Sequence, residues 1–408
     1  MTQSTDRSEP NGTGDADDSG SAGAKQFERA FGEKLDRVLD LSTWHGSTDL
    51  SALYERLELD ATVGAALVEE DRAAHAIREN VLPVLRERLG SSAPPLAGCW
   101  PVSLSKLEQI HRATLFAGHV DACASSVQAH ESLALTIIQI GIALVGYRGD
   151  EGTWSHRLYR RDLRGGPPDP VELANWVLNQ RNPNDPRRPD AVRDGLPELG
   201  RRGVTSYAER AVLTRMSQAP WRMGRGSPAP YELLTGAGAM DLVEPALDIL
   251  QELLIGHRRF VFVPTRGDRA LLTIGQALAP LEFAVVYRLR RLISDIVSEG
   301  HLRGDRRKRA LDFVREVGEE VAVGVFRASR HAPPYVFYAP AEPDLCAQAA
   351  AIALADAVIQ EHRGYPMLLD MAHQFCAAAF SREEFLGPIQ VAYAARGEPL
   401  LSEGLDEP

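Results

Sequence analysis

Apolar residues recur every three to four positions through the first quarter of the chain, which is the spacing of one face of an α-helix. One run starts at Phe27 and a second covers residues 62–89. Residues 4–24 are mostly Ser, Gly, Asp and Thr, and such a composition cannot offset the entropy lost on ordering. We therefore expect a disordered tail over residues 1–25 and a helical region over residues 26–104.

Three extended segments follow this helical region. Residues 115–123, 133–147 and 154–163 are β-branched or alternate between apolar and polar side chains. The last two are joined by the turn sequence Gly149-Asp150-Glu151-Gly152. This pattern predicts an antiparallel meander of three strands.

Helical and extended patterns then alternate to the end of the chain. Residues 165–197 are polar and rich in proline, which indicates an excursion or a mobile loop. Beyond them we predict helices at 206–217, 242–255, 269–278, 285–298, 347–360 and 366–379, and strands at 231–235, 259–264, 320–327 and 335–338. A meander followed by such alternation predicts an α/β fold with a mixed sheet.

Composition narrows the class of protein. With 408 residues, 44% of them hydrophobic, the chain can bury one large core or a core with a small satellite domain. Its four cysteines are far apart and match no disulfide or zinc spacing. We expect a cytoplasmic protein without a membrane span, because the chain shows neither a long apolar run nor a signal peptide.

The charge distribution bears on nucleic acid as a partner. The net charge is −11, but without the acidic residues 1–25 and 397–408 the chain holds 47 acids against 43 bases. Basic residues cluster at 156–161 and at 288–309. Each cluster is either a solvated face or a site for backbone phosphates.

Asp121 and Glu209 are the first candidates for chemistry. Asp121 lies near the end of the predicted strand 115–123 among apolar neighbours, where a carboxylate is costly to bury unless it is paired or holds a cation. It therefore caps a turn or binds a metal ion. Glu209, on the predicted helix 206–217, is a surface charge or a further acidic ligand.

Asp241 and His373 are the other candidates. Asp241 directly precedes the apolar positions of a predicted helix, so it is an N-cap or a ligand. Asp370 and His373 are three residues apart and share a helix face, with Tyr365 at the start of that helix. His373 is either a core histidine held by a hydrogen bond, or a ligand or general acid/base. No motif for nucleotide triphosphate hydrolysis is present.

Taken in order, these segments resemble the NurA family of nucleases, which work with HerA-type hexameric DNA translocases in DNA end processing. The matching segments are HVDACAS with the apolar strand after it, SYAER, YELLTGAGAMD and GYPMLLDMAH. The similarity spans residues 107–395, and the last segment is the distinctive one. In the first segment Ala122 and Cys123 differ from the small residues of the family, and in the third Thr235 stands where the family has an aspartate.

The resemblance implies an RNase H-like nuclease domain over residues 105–396 that hydrolyses phosphodiesters with one or two Mn²⁺ or Mg²⁺ ions. It implies metal ligands at Asp121, Glu209, Asp241 and His373, a positioning or acid/base role for Tyr365 and His373, and contacts to DNA from Arg157, Arg160, Arg161 and Arg327. It also implies a homodimer that docks on a HerA-like ATPase hexamer.

Two alternatives stay open. If Thr235 occupies a ligand position, the chain is a weak or inactive nuclease that serves as a DNA-binding or scaffold subunit. The other alternative is an unrelated α/β enzyme whose pocket lies elsewhere.

Overall fold

A computed structural model describes residues 18–44, 51, 54, 58–132, 135–148, 153–162, 171, 174 and 199–398. The chain divides into two compact units, Met1–Glu69 and Glu70–Pro408. Apart from residues 171 and 174, the proline-rich stretch predicted as an excursion lies outside the described residues, as do residues 1–17 and 399–408 of the two tails. Within the described ranges, no helix combines the length and apolar character that crossing a membrane requires.

The first unit is helical, as the periodicity predicts. It holds helices α1 (Asp18–Phe31) and α2 (Leu35–Leu39) and the first part of α3 (Leu59–Asn80). On α1 the rings of Phe27 and Phe31 pack with their centroids 4.7 Å apart. The predicted disordered tail of residues 1–25 differs from the structure from Asp18 onward, because α1 begins there. Alanine residues favour a helix even in a segment that offers little apolar surface.

The second unit is built on one open sheet of nine strands among the described residues. The strands are β1 (Gly98–Pro101), β2 (Val120–Glu131), β3 (Leu135–Gly146), β4 (Thr153–Asp162), β5 (Trp221–Arg225), β6 (Phe260–Val263), β7 (Glu282–Arg288), β8 (Val321–Arg327) and β9 (Tyr335–Pro340). Their order is β1-β7-β8-β9-β6-β5-β2-β3-β4.

The pairing confirms the predicted meander and the mixed sheet. Strands β2, β3 and β4 are antiparallel neighbours, whereas β5 and β6 continue the sheet parallel to β2. The remaining pairs, from β6 through β9, β8 and β7 to β1, are antiparallel. A meander extended by strands parallel to its first strand is the arrangement expected of an RNase H-like core.

Helices cover both faces of this sheet. They are α4 (Leu85–Leu89), α5 (Leu104–Ile110), α6 (Thr205–Arg215), α7 (Tyr231–Thr235), α8 (Val243–Gln251), α9 (Arg269–Gln276), α10 (Arg290–Glu299), α11 (Gly304–Glu316), α12 (Pro343–Val358), α13 (Met367–Ala379) and α14 (Arg382–Ala394). One core lies between the sheet and α5, α12 and α13. The other lies between the sheet and α6, α7, α8, α10 and α11. Burial on both faces explains why the central strands are apolar with little alternation.

The start of β2 differs from the predicted strand 115–123. Leu115 ends a π-helical turn, and Gly118 has φ +71°, a left-handed conformation that glycine adopts without strain. Extended backbone begins at Val120 and continues to Glu131. Asp121 therefore lies at the beginning of the strand and not near its end.

Two other predicted segments also differ from the structure. Tyr231–Thr235 is the helix α7, and the predicted helix 285–298 is divided between the end of β7 and α10. Strands β1 and β5 and helices α11 and α14 were not predicted. β1 lies before the predicted domain boundary at residue 105 and pairs with β7.

Candidate functional site

A candidate site lies at the carboxyl ends of the parallel strands β5 and β6. In α/β sheets, ligands bind beyond the carboxyl ends of such strands. β5 ends at Arg225, and β2 runs past it: Cys123 pairs with Gly224, so Ser125 lies just beyond the paired region. Helix α6 covers one face of this region, and α13 packs on the sheet from the other side.

Glu209, on α6, reaches the sheet at this point. The Ser125 hydroxyl donates a hydrogen bond of 2.5 Å to Glu209 Oε1. The guanidinium of Arg210 donates to Oε2 and forms an ion pair with the carboxylate. The Glu209 side chain is 17% exposed. Its charge is therefore compensated inside the protein by the next residue in the chain.

Arg210 also forms hydrogen bonds with the loop that follows β5. It is buried, and its guanidinium donates to the carbonyl oxygen of Ser227 at 2.6 Å. It lies 5.6 Å from the centre of the Phe262 ring on β6. A buried guanidinium with these partners is a fixed part of the site, and removing its carboxylate partner would leave an uncompensated charge.

His373 and Arg225 meet on the other side of this region. Arg225 Nη1 lies 3.3 Å from His373 Nδ1. Since arginine can only donate, Nδ1 accepts and the ring proton of neutral His373 is on Nε2. Burial lowers the pKa of His373, and the charge of Arg225 lowers it further. The Glu209 carboxylate acts on the same pKa in the opposite direction, so Glu209 and His373 share one electrostatic environment.

Tyr365 anchors the start of α13. Its hydroxyl donates to the carbonyl oxygen of Val263, the last residue of β6, at 3.0 Å, and its ring packs on Tyr335. Burial raises the pKa of the Tyr365 phenol, which stays protonated. Gly364, with φ +64°, provides the bend before it, and a Cβ there would lie 2.5 Å from the Cβ of Ala332.

Asp370 lies on the same helix, one turn before His373. Its carboxylate accepts from Gln360 Nε2 at 2.9 Å and forms an ion pair of 3.1 Å with Arg363. The predicted shared face of Asp370 and His373 is consistent with the effect of the Asp370 charge, which raises the pKa of His373.

Asp121 is held at the other end of β2. Its carboxylate accepts from Ser217 at 2.8 Å and from Arg148 at 3.2 Å, and it is buried. Four residues of strand separate it from Ser125, a span of about 13 Å. The structure therefore does not bring Asp121 to Glu209, and its pairing with Arg148 accounts for its burial.

Asp241 is also apart from Glu209 and His373. It lies in a 3-10 turn before α8, its side chain is 97% exposed, and it forms an ion pair of 2.8 Å with Arg306. Its side chain makes no capping hydrogen bond to α8. Thr235, which stands where the resemblance has an aspartate, bonds back to the Tyr231 carbonyl oxygen within α7.

The predicted DNA-binding arginines fall into two settings. Arg157 and Arg160 are exposed on β4, the edge strand of the sheet, where Arg157 lies 5.6 Å from the centre of the Tyr159 ring; Arg161 is half-buried on the same strand. Arg327, in contrast, donates to the carbonyl oxygens of Gln276, Leu278 and Arg330. These bonds terminate α9 and explain Arg327 without a ligand.

The residues around Glu209 do not fit a divalent cation. They enclose a cavity of about 10 Å³, roughly the space of a single water molecule. Its lining residues are Cys123, Glu209, Arg210, Leu213, Gly224, Arg225 and Phe262. Mg²⁺ and Mn²⁺ need several oxygen ligands, whereas this lining offers one carboxylate and two guanidinium groups. Across the described ranges, no three His, Cys, Asp or Glu side chains are grouped so as to hold a metal ion.

Comparison with known proteins gives a likeness at the level of structure. The chain matches no protein-family model and no curated protein sequence. The solved structures that it matches include NurA structures.

The NurA nuclease from Sulfolobus solfataricus is 9% identical; the match covers 85% of this chain and 98% of that one, with a TM-score of 0.46. A crystal structure of NurA with manganese is 9% identical over 84% of this chain and all of that one, with a TM-score of 0.39. A NurA bound to dAMP and manganese is 8% identical over 84% and 97%, with a TM-score of 0.34. At these values the likeness to NurA fixes neither a family nor the role of any residue.

Sequence reasoning found part of this site. Glu209 and His373 were both predicted; Glu209 contacts Ser125, His373 contacts Arg225, and the Glu209 charge acts on the pKa of His373. Tyr365, also predicted, bonds to the end of β6. Ser125, Arg210 and Arg225 were missed. Ser125 is one alternation step beyond Cys123 and would have followed from the correct start of β2; Arg225 belongs to a strand too short and polar to be recognised.

Proposed function

We propose that this chain is a nucleic-acid-binding protein with a nuclease-like fold, in which Arg225, a partly exposed residue of the Glu209 site, contacts a phosphate group of the nucleic acid, and that the site has lost metal-dependent hydrolysis. This is the scaffold alternative of the sequence analysis. The resemblance to NurA adds DNA as the partner.

One observation carries the proposal: two arginines surround the single carboxylate of the site. Arg210 compensates Glu209, and Arg225 adds a further positive charge beside a neutral His373. The lining therefore has a net positive charge, which attracts a phosphate and repels a cation. Guanidinium groups also match the geometry of phosphate oxygens.

The sheet offers a basic continuation of this site. Across β3, Ser125 aligns with Ile142 and Ser155, so β4 lies two strand spacings, about 10 Å, from Ser125. Arg157 is the next residue of β4 on that face and is exposed. A nucleic acid strand that leaves the site would thus meet the basic edge strand, which contacts phosphates independently of sequence.

The Arg225 contact can be tested by DNA binding. We expect Arg225→Gln to weaken binding of single-stranded DNA about tenfold, measured by fluorescence anisotropy at fixed salt, and to reduce the salt slope by about one. Arg215→Gln is the control, because Arg215 is an exposed arginine on α6 that pairs with Glu252. Equal affinities of Arg225→Gln and wild type would refute the proposed phosphate contact.

A metal-dependent nuclease is the second candidate function. Two observations favour it: the charge of Glu209 acts on the pKa of His373, and a hydrogen bond from Tyr365 fixes the start of the helix that carries His373. A homodimer that docks on a HerA-like ATPase hexamer belongs to both candidates. Light scattering of the purified chain, alone and with such an ATPase, tests that assembly.

A further inference from the structure

The second basic cluster of the sequence surrounds a separate cavity. This cavity, of about 630 Å³, lies at the carboxyl end of β7. It is lined by Arg88, Leu89, Ser91, Ser92, Tyr287, Arg288, Arg290, Arg291, Ser294 and Glu319. Its volume is that of a pocket for a small molecule, whereas the cavity beside Glu209 measures only about 10 Å³.

The position of this cavity makes it independent of the candidate functional site. β7 runs antiparallel to β6, because three successive antiparallel pairs connect them. Its carboxyl end therefore lies at the opposite edge of the sheet from Arg225. Four strand spacings, about 19 Å, also separate β7 from β5 along the sheet.

The lining of this cavity is strongly basic. Glu319 is its single carboxylate, and it pairs with Arg288 at 3.2 Å and with Arg290 at 2.8 Å. Arg88 and Arg291 form no ion pair with any carboxylate in the described part of the chain; Arg291 lies 5.2 Å from the centre of the Tyr287 ring. Four guanidinium groups against one carboxylate leave three positive charges uncompensated around the cavity.

Further donors point to an anion as the ligand. Three serine hydroxyls line the cavity, and α10 begins at Arg290, so the positive end of its dipole lies there. Arg288 is already held by the carbonyl oxygens of Glu319 and Ala93 and by the Glu319 carboxylate. The other three guanidinium groups of the lining are therefore the ones that can bind phosphate oxygens, whose geometry they match.

We propose that this cavity binds a compact ligand carrying several phosphate groups, by bonds from Arg88, Arg290 and Arg291. Two sources supply that chemistry: the phosphate chain of a free nucleotide, and the phosphorylated end of a nucleic acid strand. The concentration of positive charge in one cavity favours clustered phosphates over the evenly spaced single charges of a strand interior.

Binding of defined probes tests the cavity. Isothermal calorimetry would measure the affinity of the full chain for inorganic triphosphate, for ATP, and for one oligonucleotide with a 5′-phosphate or a 5′-hydroxyl. Affinity for triphosphate or ATP identifies a free nucleotide, and a preference for the 5′-phosphate identifies a strand end. Failure of all these probes to bind the wild type would overturn the proposal.

Matched variants locate the binding. We expect Arg88→Gln with Arg291→Gln to weaken the affinity at least tenfold. The control is Arg258→Gln with Arg315→Gln, two exposed arginines outside the cavity, which should leave the affinity unchanged. The loss caused by Arg88→Gln with Arg291→Gln should be the same in a protein that also carries Arg225→Gln, which separates this cavity from the proposed function. Equal losses in the cavity pair and the control pair would contradict the assignment, provided both unfold at the wild-type temperature.

Discussion

His373 reports the electrostatics of the candidate site at the level of a single residue. Burial lowers its pKa, and Arg225 lowers it further from 3.3 Å. The neutral form of the imidazole is therefore favoured, and the ring becomes positive at a lower pH than an ordinary histidine.

We expect Arg225→Gln to raise the pKa of His373, because the largest of the charges that lower it is removed. NMR titration of the imidazole protons measures this pKa in both proteins. Arg215→Gln, which is remote on the exposed side of α6, should leave it unchanged. A pKa of His373 that does not move in Arg225→Gln would mean that the two side chains are not in contact.

Asp356, on α12, is the most deeply buried carboxylate among the described residues. It accepts hydrogen bonds from the Tyr147 hydroxyl at 2.6 Å and from the Leu368 backbone N–H at 2.8 Å. Burial raises its pKa from 3.8 to about 6, although the two hydrogen bonds act in the opposite direction. A carboxyl group with a raised pKa in the folded state binds its proton more tightly when folded than when unfolded.

The contribution of Asp356 to stability must therefore decrease as pH rises. Between pH 3.8 and about 6 the unfolded chain loses this proton while the folded chain keeps it, so folding becomes less favourable by about 3 kcal/mol in total. Asp356→Asn removes the titrating carboxyl group. The difference in unfolding free energy between wild type and variant should therefore change across pH 4–6 and level off above pH 6. Urea denaturation of both proteins at several pH values measures this difference. Parallel pH profiles would show that Asp356 titrates normally.

The packing of α13 and its following residue Phe380 on the sheet depends on a glycine in β3. A Cβ at Gly141 would lie 2.0 Å from the Phe380 ring, which is buried. The strand can therefore pass beneath the ring only with glycine at this position.

Gly141→Ala should destabilise the fold by about 1–3 kcal/mol, because the ring and the strand must move apart. Gly387→Ala is the matched control: it lies in α14 with no other atom within 4 Å of the added Cβ, and alanine favours a helix. Urea denaturation compares the two variants. A Gly141→Ala protein as stable as wild type would show that Phe380 does not pack there.

At the level of elements, the sequence predicted the helices and strands whose apolar residues repeat regularly or whose ends carry a clear turn signal. β3 and β4 alternate or are continuously apolar between turn signals, and α13 starts at a proline after a glycine bend. The predicted helix 285–298 was wrong because an apolar segment without a clear period fits a strand and a helix equally. In the structure, the end of β7 and α10 follow each other within these residues. β5, with Arg222, Gly224 and Arg225 among five residues, lacks the composition of a strand and is defined by its neighbours β2 and β6.

The candidate site was predictable only in part because it depends on strand register. Tyr365 stands just before the helix that carries His373, so a local sequence pattern predicts the positions of both. Glu209 meets the sheet opposite Ser125, and an error of a few residues in the start of β2 assigned that place to Asp121. The contact of Arg225 with His373 joins residues 148 positions apart and has no local signal.

At the scale of the molecule, the sheet of the second unit separates two basic regions. The carboxyl ends of β5 and β6 hold the Glu209 site, and the opposite edge holds the cavity lined by Arg88, Arg290 and Arg291. Net charge conceals both, because the acids of the chain exceed its bases while the arginines are concentrated locally. A phosphate-binding role is therefore compatible with an acidic protein.

The proposed function requires that Arg225 beside Glu209 contacts phosphate and that the site holds no catalytic metal ion. Its most direct test is a cleavage assay with labelled single-stranded and duplex DNA in Mn²⁺, comparing wild type with Glu209→Gln and Asp121→Ala. We predict no Mn²⁺-dependent cleavage by any of the three proteins, with DNA binding by the wild type retained. Cleavage by the wild type that Glu209→Gln abolishes would contradict the account and establish a metal-dependent nuclease.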